Sequence, residues 1–421
     1  MEQTIRLCAR SVGTPPYQLR NTLQKRCGLG VWGTFENEFS PGKSPTSRLC
    51  IIIGSMLLHG ILSPVTTPFY PDGQVYYKKI EHNIERYSRT PITGIVVQGS
   101  TGEAILLSDQ ERRDVFKAAR EAAAPEKVLV AATGIESAIE TLRLTEYAAT
   151  LGYDVALIRT PHFYKSQITK PINMLTFFRT VADHSPLPVL LYNVPAFTGY
   201  DLPAELVAEL AQHPNIIGIK ESGGDVEKIR KMAELTRSIK RTTTVTETFA
   251  PVTQRMIIAA ETPRDDGGAL VTIGATIGAT IGGTNGADSS KPSSSSVKVV
   301  GNLKTRQKEI GFQILSGTAD KLKPSLEAGA VGAVIGFACP APTACFEVYT
   351  AWKEGDEKLA ATKQDRIIAA ARKVVTENGP AGIKHAMDLN GYYGGNPRLP
   401  LLPLTATVKS EIETLLTNIR N

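Results

Sequence analysis

The sequence is poor in cysteine and tryptophan, and it lacks long apolar runs. Its 421 residues include five cysteines and two tryptophans, and no two cysteines form a CxxC pair. Neither a disulfide framework nor a cysteine-ligated metal site is therefore indicated, and this composition fits a reducing compartment. The apolar run at residues 50–58 is too short to cross a bilayer. The sequence predicts no membrane-spanning segment.

Positive charge is concentrated at the N-terminus. Of the net charge of +6, residues 1–55 contribute +4 from seven Lys or Arg and three Glu, which leaves +2 for the rest. A body this close to neutral gives no indication of a nucleic-acid partner. The composition of residues 1–55 is typical of a mitochondrial transit peptide, which predicts location in the mitochondrial matrix. Two alternatives remain open, a disordered tail of a cytoplasmic protein and a start site assigned upstream of the true first residue, Met56.

Beyond residue 60, short apolar and β-branched runs alternate with amphipathic stretches of helical period. Such alternation predicts parallel strands joined by helical crossovers. Eight units favour an α/β fold, the closed (β/α)8 TIM barrel, over a doubly wound sheet, which would carry a glycine-rich phosphate loop after its first strand. Residues 66–69 contain no glycine at that position. The predicted strands are residues 61–67, 94–99, 128–133, 155–160, 189–194, 216–222, 312–317 and 333–337.

Helices are predicted between the strands and after the last one. Ser108 precedes Glu111 by three positions and Ser137 precedes Glu140 likewise, which is the spacing of a capping box. A C-terminal helical extension is predicted over residues 341–421, covering the bottom or edge of the barrel or making oligomer contacts. The predicted helices include residues 108–123, 137–151, 203–212 and 226–239 in the barrel, and 343–352, 356–376, 380–390 and 405–419 in the extension.

One segment interrupts the barrel, which is predicted over residues 56–340. Residues from about 241 to 309 are rich in Thr, Gly, Ser and Ala. So long a stretch without regular structure is predicted to be a disordered low-complexity insertion or an artefact such as a retained intron, with a functional lid as a third alternative. A barrel tolerates an insertion because the entropy of loop closure grows slowly with length.

Two hydroxyl residues stand between glycines at the end of the second predicted strand. The motif is Gly99-Ser100-Thr101-Gly102-Glu103. Backbone N–H groups and hydroxyls at such a strand end can bind a small anion, a carboxylate as well as a phosphate. An ordinary turn between strand and helix is the alternative.

A lysine stands within the apolar sixth predicted strand. Burying an ammonium without a partner is costly or forces it neutral, and a neutral lysine is the nucleophile of Schiff-base chemistry. Alternation along the strand predicts that Ile217 and Ile219 face the helices and Lys220 faces inward, with Gly218 leaving room beside it. Tyr192 of the fifth strand is predicted to meet the lysine at the C-terminal mouth of the barrel, where a phenol can move protons. The alternative is a lysine at the strand end that reaches solvent or pairs with a carboxylate of a loop.

Three motifs resemble the signatures of the dihydrodipicolinate synthase / N-acetylneuraminate lyase superfamily of pyruvate-dependent class I aldolases. They are residues 99–103, residues 192–195 with 198–199, and residues 218–220. The resemblance covers roughly residues 60–240 and 311–405. The segments that look most like the eukaryotic 4-hydroxy-2-oxoglutarate aldolase branch are residues 213–216, 220–226 and 391–395.

The resemblance implies roles for individual residues. Lys220 would form the Schiff base with pyruvate or the 2-oxo acid, and Tyr192 would be the acid–base catalyst. Ser100 and Thr101 would hold the carboxylate of the 2-oxo acid and relay protons. Neither a cofactor nor a metal is expected, because the protonated imine is the electron sink. Further residues that would line the site are Ser222, Gly317 and Val334.

The chain departs from the family pattern at two positions. Phe197 stands where the lysine-pathway synthases carry an arginine for the carboxylate of the second substrate, which argues against dihydrodipicolinate synthase. Phe163 stands where the family often has a tyrosine that completes the proton relay of a neighbouring subunit. Either Tyr164 substitutes for that tyrosine or the relay is incomplete.

The sequence therefore predicts a Schiff-base aldolase that cleaves 4-hydroxy-2-oxoglutarate to pyruvate and glyoxylate. The alternative enzymes are an aldolase for a 2-keto-3-deoxy sugar acid and a dihydrodipicolinate synthase-like condensing enzyme. Outside enzymes, the alternative is a non-catalytic barrel that serves as a binding or assembly module. The predicted partner is a small 2-oxo acid, with neither nucleic acid nor membrane, and the resemblance implies a homo-oligomer, a tetramer.

Overall fold

The computed structural model describes residues 55–261, 298–300 and 303–419. Nearly all of the predicted transit peptide, and the middle of the predicted insertion, lie outside these residues. Within the described chain, eight parallel strands close into a barrel in the order β1-β11-β10-β6-β5-β4-β3-β2, and helices surround it. The predicted fold class and all eight predicted barrel strands are confirmed. The strands, including three outside the barrel, are β1 (Gly60–Pro64), β2 (Gly94–Val97), β3 (Val128–Ala132), β4 (Val155–Arg159), β5 (Val189–Asn193), β6 (Ile216–Glu221), β7 (Arg241–Thr246), β8 (Lys298–Val300), β9 (Leu303–Ile310), β10 (Gln313–Ser316) and β11 (Gly332–Val334).

The helices begin and end close to the predicted positions. Ser108 and Glu111 form the complete capping box, whereas at Ser137 only the serine side chain accepts a bond, from the amide of Glu140. A π-helical turn, Arg372–Glu377, forms the end of the long helix predicted over residues 356–376. The helices are α1 (Tyr77–Ser88), α2 (Asp109–Ala122), α3 (Ala138–Thr150), α4 (Lys165–Ile168), α5 (Pro171–His184), α6 (Pro195–Thr198), α7 (Ala204–Leu210), α8 (Val226–Leu235), α9 (Gln254–Glu261), α10 (Leu322–Glu327), α11 (Pro342–Lys353), α12 (Glu357–Ala371), α13 (Gly379–Leu389) and α14 (Ala406–Leu416).

Two apolar layers stabilise the barrel. The inner layer fills its interior with side chains such as Leu62, Val96 and Leu190, and the outer layer packs the strands against the helices through residues such as Ile95 and Ile158. Each fully buried aliphatic side chain contributes about 1.5–3 kcal/mol. Because the strands are buried on both faces, their sequences are continuous apolar runs. A charged side chain in such a strand is therefore conspicuous.

The prediction that residues 241–309 lack regular structure is wrong at both ends of the segment. Strands β7, β9 and β8 form an antiparallel sheet in that order, and α9 follows β7. Strand β7 alternates buried and exposed positions, with Thr243 and Val245 buried. The threonine-rich composition resembles low complexity, but threonine is β-branched and favours strands.

The described ends of this segment attach to the amino-terminal face of the barrel. Arg241 donates to the carbonyl oxygens of Ala211, His213 and Ile216 at 2.7–3.0 Å, just where the chain enters β6. Arg255 of α9 likewise donates to carbonyls that precede β3. Since functional sites of such barrels lie at the opposite, carboxyl-terminal face, the described parts of the insertion are not positioned as a lid.

The C-terminal helices reach the carboxyl-terminal end of the barrel. Helix α13 contacts the turn that follows β2, and the segment after it brings Pro400 and Leu401 to the same end. The expectation that this extension covers the bottom or the edge of the barrel is therefore wrong for α13. Helical periodicity in a sequence predicts that a helix exists, but it does not predict the element against which the helix packs.

Candidate active site

Lys220 lies inside the barrel at the carboxyl end of β6. Its side chain is buried, with 5% of the residue exposed. Strand β6 contains a bulge beside β5, in which Ile217 is the inserted residue. After the bulge, side chains alternate, so that Ile219 packs in the outer layer against the helices and Lys220 points inward.

Two details predicted for β6 are wrong. Ile217 packs in the inner layer with Leu190 and Leu315 instead of facing the helices, because the bulge breaks simple alternation. Gly218 makes room for the neighbouring strand rather than for the lysine, since a Cβ at this position would lie 2.2 Å from the carbonyl oxygen of Gln313. Any side chain at position 218 would push β6 and β10 apart.

Lys220, Tyr192 and Ser100 form a connected group at the mouth of the barrel. Tyr192 of β5 is the register partner of Lys220, and the lysine Nζ lies 4.1 Å from the centroid of the tyrosine ring. The Tyr192 hydroxyl lies 3.2 Å from Ser100 Oγ, within hydrogen-bond distance. A nucleophilic amine, a phenol and an alcohol are thus arranged in a chain along which protons can move.

A polar network on the outer side of the same strands supports this group. Asn193 and Glu221 are also register partners, and Asn193 Nδ2 lies 2.9 Å from both carboxylate oxygens of Glu221. Lys228 of α8 lies 3.1 Å from Glu221, and the amide of Gly223 donates to it at 2.6 Å. Burial raises the pKa of Glu221, although Lys228 and these donors favour its charged form. The network ties β5 to β6 one position beyond Tyr192 and Lys220.

The predicted anion-binding motif is a short 3-10 turn, Ser100–Gly102. Glu103, which follows it, has a left-handed backbone conformation with φ of 54°. Ser100 lines the cavity described below, but Thr101 is not among the residues of the cavity wall. Of the two hydroxyl residues predicted to bind the carboxylate, the structure therefore places Ser100 beside Tyr192 but does not place Thr101 on the cavity wall.

A buried ion pair attaches this turn to the C-terminal extension. Lys384 of α13 and Glu103 are both inaccessible to solvent, and Lys384 Nζ lies 2.5 Å from Glu103 Oε1. The ammonium also donates to the carbonyl of Asn396 at 3.0 Å and lies 4.4 Å from the centroid of the Phe69 ring. Burial lowers the pKa of Lys384, and the charge of Glu103 opposes that shift. Neither residue carried a signal in the sequence that related it to the other.

Replacing Lys384 by methionine is expected to destabilise the protein by about 3–5 kcal/mol, because it leaves the Glu103 carboxylate buried without its partner. The free energy of unfolding from urea denaturation measures this loss. The double variant Lys384→Met/Glu103→Gln removes both charges and is expected to recover much of the stability. A single Lys384→Met variant as stable as the wild type would contradict this role.

Ser222 and Gly317 lie against each other where β6 and β10 end. A Cβ on Gly317 would lie 1.9 Å from Ser222 Oγ, so glycine is needed to leave this hydroxyl in place. The amide of Ser222 donates to the backbone carbonyl of Asn193 at 2.9 Å, and the amide of Gly317 donates to the backbone carbonyl of Glu221 at 2.7 Å. Val334 of β11 is fully buried in the inner layer.

A cavity of about 470 Å³ opens at the carboxyl ends of the strands. This is within the range of small-molecule sites. Tyr192 and Ser100 form part of its wall, and Phe197, Pro400 and Leu401 form part of its rim. The mouth of the barrel is thus a partly apolar pocket with the predicted acid–base group at its wall.

Three polar residues of the cavity wall were not among the predicted site residues. They are Arg112 of α2, Arg159 at the end of β4 and His162 just beyond it. Glu136 binds two of them, at 3.0 Å from Arg159 Nη1 and 2.5 Å from His162 Nδ1. Burial opposes ionisation of Glu136, but the amides of His162 and Phe163 and the Arg159 guanidinium together lower its pKa.

Phe163 and Phe197, the residues at the two positions that depart from the family pattern, are both exposed. Phe163 and Tyr164 contact each other edge to face at 5.1 Å between ring centroids, and 72% and 69% of these residues are exposed. Neither is on the wall of the cavity. Phe197 lies on the wall, and 67% of it is exposed.

Among residues 55–261, 298–300 and 303–419, no group of three or more His, Cys, Asp or Glu side chains is arranged to hold a metal ion. No helix within the same residues has the length and apolar character needed to cross a membrane.

The chain matches known proteins over most of its length. The sequence profile described as the dihydrodipicolinate synthetase family matches residues 57–246 and 289–419. A protein named 4-hydroxy-tetrahydrodipicolinate synthase from Exiguobacterium sp. is 27% identical over 353 residues, which are 84% of this chain and 95% of that protein. One of the same name from Xanthomonas campestris pv. campestris is 40% identical over 180 residues, 43% of this chain and 59% of that protein.

Solved structures match the fold. The crystal structure of YagE, a prophage protein of E. coli described as belonging to the dihydrodipicolinic acid synthase family and solved in complex with pyruvate, superposes with a TM-score of 0.64. It is 25% identical in sequence, and the match covers 86% of this chain and 99% of YagE. A dihydrodipicolinate synthase from Bacillus anthracis superposes with a TM-score of 0.65 at 21% identity, over 87% of this chain and all of the other.

Proposed function

This chain belongs to the dihydrodipicolinate synthetase family, and we propose that it is a class I aldolase that cleaves 4-hydroxy-2-oxoglutarate to pyruvate and glyoxylate. The observation that carries this proposal is the group of Lys220, Tyr192 and Ser100 at the mouth of the barrel. The lysine Nζ lies 4.1 Å from the ring of Tyr192, and the hydroxyls of Tyr192 and Ser100 lie 3.2 Å apart.

The geometry supports the following sequence of steps. Lys220 attacks the C2 ketone, and loss of water from the carbinolamine forms a protonated imine. The iminium accepts the electron pair of the C3–C4 bond while Tyr192, with Ser100 beside it, takes the proton of the 4-hydroxyl, so that glyoxylate leaves. The resulting enamine takes a proton at C3. Water then hydrolyses the imine, which releases pyruvate and restores the lysine.

Ser100 and the backbone of its turn support binding of the C1 carboxylate. The turn follows β2 directly, and a glycine-flanked turn of this kind can present backbone N–H groups to a small anion. The hydroxyl of Ser222 beside Gly317 supplies a further polar group at the end of β6. These groups would orient the 2-oxo acid with its ketone toward Lys220.

The curated relatives are named as synthases, so a condensing enzyme is the second candidate. Phe197 argues against it, because the resemblance places at this position the arginine that binds the second substrate of the synthases. An aldolase for a 2-keto-3-deoxy sugar acid uses the same lysine chemistry, and its polyol would tolerate an aromatic residue at this wall.

Two measurements test the proposal together. Borohydride reduction in the presence of pyruvate is expected to attach a three-carbon adduct to Lys220, detected by peptide mass spectrometry. Pyruvate released from a panel of 4-hydroxy-2-oxoglutarate and 3-deoxy-hexulosonates is expected to be fastest with 4-hydroxy-2-oxoglutarate.

Each outcome separates the candidates. Absence of an adduct would exclude every aldolase and leave a non-catalytic barrel. An adduct with preferred cleavage of a hexulosonate would replace the substrate but keep the mechanism. An adduct without cleavage, together with condensation of pyruvate and aspartate semialdehyde, would favour the synthase.

A further inference from the structure

A pair of guanidinium groups faces the cavity beside the candidate catalytic group. Arg159 is the last residue of β4 and the register partner of Tyr192. Val155 and Leu157, four and two positions earlier on this strand, pack in the inner layer, so alternation places Arg159 on the same inward face. Arg112 of α2 lines the same cavity.

Both guanidiniums keep unused donors. Within the described chain, every polar contact of the Arg159 side chain uses Nη1, which donates to Glu136 Oε1 at 3.0 Å and to the carbonyl of Thr160 at 3.1 Å and lies 2.8 Å from His162 Nδ1. Its Nη2 and Nε therefore have no protein acceptor there. The side chain of Arg112 makes one long bond, from Nε to the carbonyl of Leu107 at 3.4 Å.

The cavity consequently has an excess of positive charge. Glu136 is the carboxylate that pairs with Arg159, and its second oxygen is occupied by the amides of His162 and Phe163. In the described structure Arg112 forms no ion pair at all. Arg112 and Arg159 line the same cavity. Burial and the charge of Arg159 lower the pKa of Arg112, and the charge of Asp109 opposes that shift. An anion between them would relieve this repulsion.

We propose that Arg159, assisted by Arg112, binds the carboxylate at the far end of the substrate and thereby selects a dicarboxylic 2-oxo acid. This inference rests on the proposed function, because it names the residues that would bind the second carboxylate of 4-hydroxy-2-oxoglutarate. Adjacent strands lie about 4.8 Å apart, so Arg159 and Lys220 approach Tyr192 from strands on either side of it. Arg159 can then hold the C5 carboxylate of a five-carbon 2-oxo acid while Lys220 forms the imine at C2.

This assignment explains how the site can bind a second carboxylate although position 197 is a phenylalanine. Phe197 lies on the wall of the same cavity and cannot bind an anion. Arginine presents paired N–H donors that match both oxygens of a carboxylate. Arg159 would supply this fork from β4 instead of from the loop after β5.

The test compares two uncleavable ligands by isothermal titration calorimetry on the full-length protein. These are 2-oxoglutarate, which has the second carboxylate, and 2-oxobutyrate, which lacks it. Arg159→Met is expected to lower the affinity for 2-oxoglutarate about 10- to 100-fold, the value of a lost charge-assisted hydrogen bond to a carboxylate. The affinity for 2-oxobutyrate is expected to change by less than about twofold.

Three variants control for folding and charge. Arg159→Gln keeps a hydrogen-bond donor for Glu136 and serves as the folded variant if Arg159→Met unfolds. It is expected to show the same selective loss of affinity for 2-oxoglutarate. Arg159→Lys is expected to recover part of the affinity for 2-oxoglutarate. Arg143→Met removes an arginine whose side chain is 64% exposed and paired with Glu140, and it is expected to change neither affinity.

The outcomes distinguish this inference from the proposed function. The role of Arg159 would be overturned if Arg159→Met and Arg159→Gln lost both affinities equally or lost neither. It would also be overturned if the wild type did not bind 2-oxoglutarate more tightly than 2-oxobutyrate. Failure of the wild type to release pyruvate from 4-hydroxy-2-oxoglutarate would instead contradict the proposed cleavage. The ratio of the two affinities would still decide the carboxylate site, because binding is measured without cleavage.

Discussion

Lys220→Met is expected to reduce pyruvate release by four or more orders of magnitude, about the effect of removing a covalent nucleophile. Methionine has a similar length and keeps the apolar contacts of a side chain that is 95% buried, but it cannot form an imine. Without the imine, no group takes the electrons of the C3–C4 bond. Steady-state release of pyruvate, coupled to lactate dehydrogenase, measures the loss.

The same variant is expected to fold as well as the wild type or better. Replacing a buried amine by an apolar side chain of similar length removes a desolvation cost, which raises rather than lowers stability. Lys240→Met is the matched control, because the Lys240 side chain is 63% exposed and pairs with Glu309 away from the mouth. Full turnover by Lys220→Met, or a borohydride adduct with pyruvate in that variant, would show that another residue is the nucleophile.

Tyr192→Phe is expected to lower kcat about 100- to 10,000-fold, the range for loss of a general acid–base group. The phenyl ring would still cover Lys220 Nζ, but the chain from the substrate hydroxyl through Tyr192 to Ser100 would lose its middle member. The adduct with pyruvate is expected to form more slowly and still to reach full occupancy, because the lysine remains. Single-turnover kinetics and the extent of borohydride trapping separate these two effects.

Tyr70→Phe is the control for the loss of a phenolic hydroxyl. Tyr70 is 43% exposed and stacks on Tyr76, and neither residue belongs to the cavity wall. It is expected to leave kcat within about twofold of the wild type, as for a surface substitution. If Tyr192→Phe likewise left kcat unchanged, the acid–base role would belong to another group, and Ser100 would be the next residue to substitute.

The barrel strands could be predicted because a buried parallel strand has to be apolar on both faces. Residues 128–132 and 189–191 show this as uninterrupted apolar runs. Strand β7 could not be predicted in the same way. It belongs to a half-exposed antiparallel sheet, so its polar threonines resemble a linker until the partner strand β9 is known.

The position of Lys220 and Tyr192 could be predicted because strand register and alternation are local rules. The bulge at Ile217 shows their limit, since an inserted residue changes which side chains share a face. Arg159 follows the same alternation along β4 and is the register partner of Tyr192, so these rules could have found it. Lys384 was inaccessible to them, because it reaches Glu103 from a helix 281 positions later in the chain.

By itself, the sequence determined the α/β barrel and the identity of the lysine and tyrosine at its mouth, because both follow from burial along single strands. Only the tertiary structure decided which groups surround them. The cavity wall is assembled from α2, the ends of β2, β4 and β5, and the segment after α13. Charges on those elements interact through space rather than along the chain, so the pairing of Glu103 with Lys384 and the placement of Arg112 and Arg159 on one cavity wall depend on how the barrel closes.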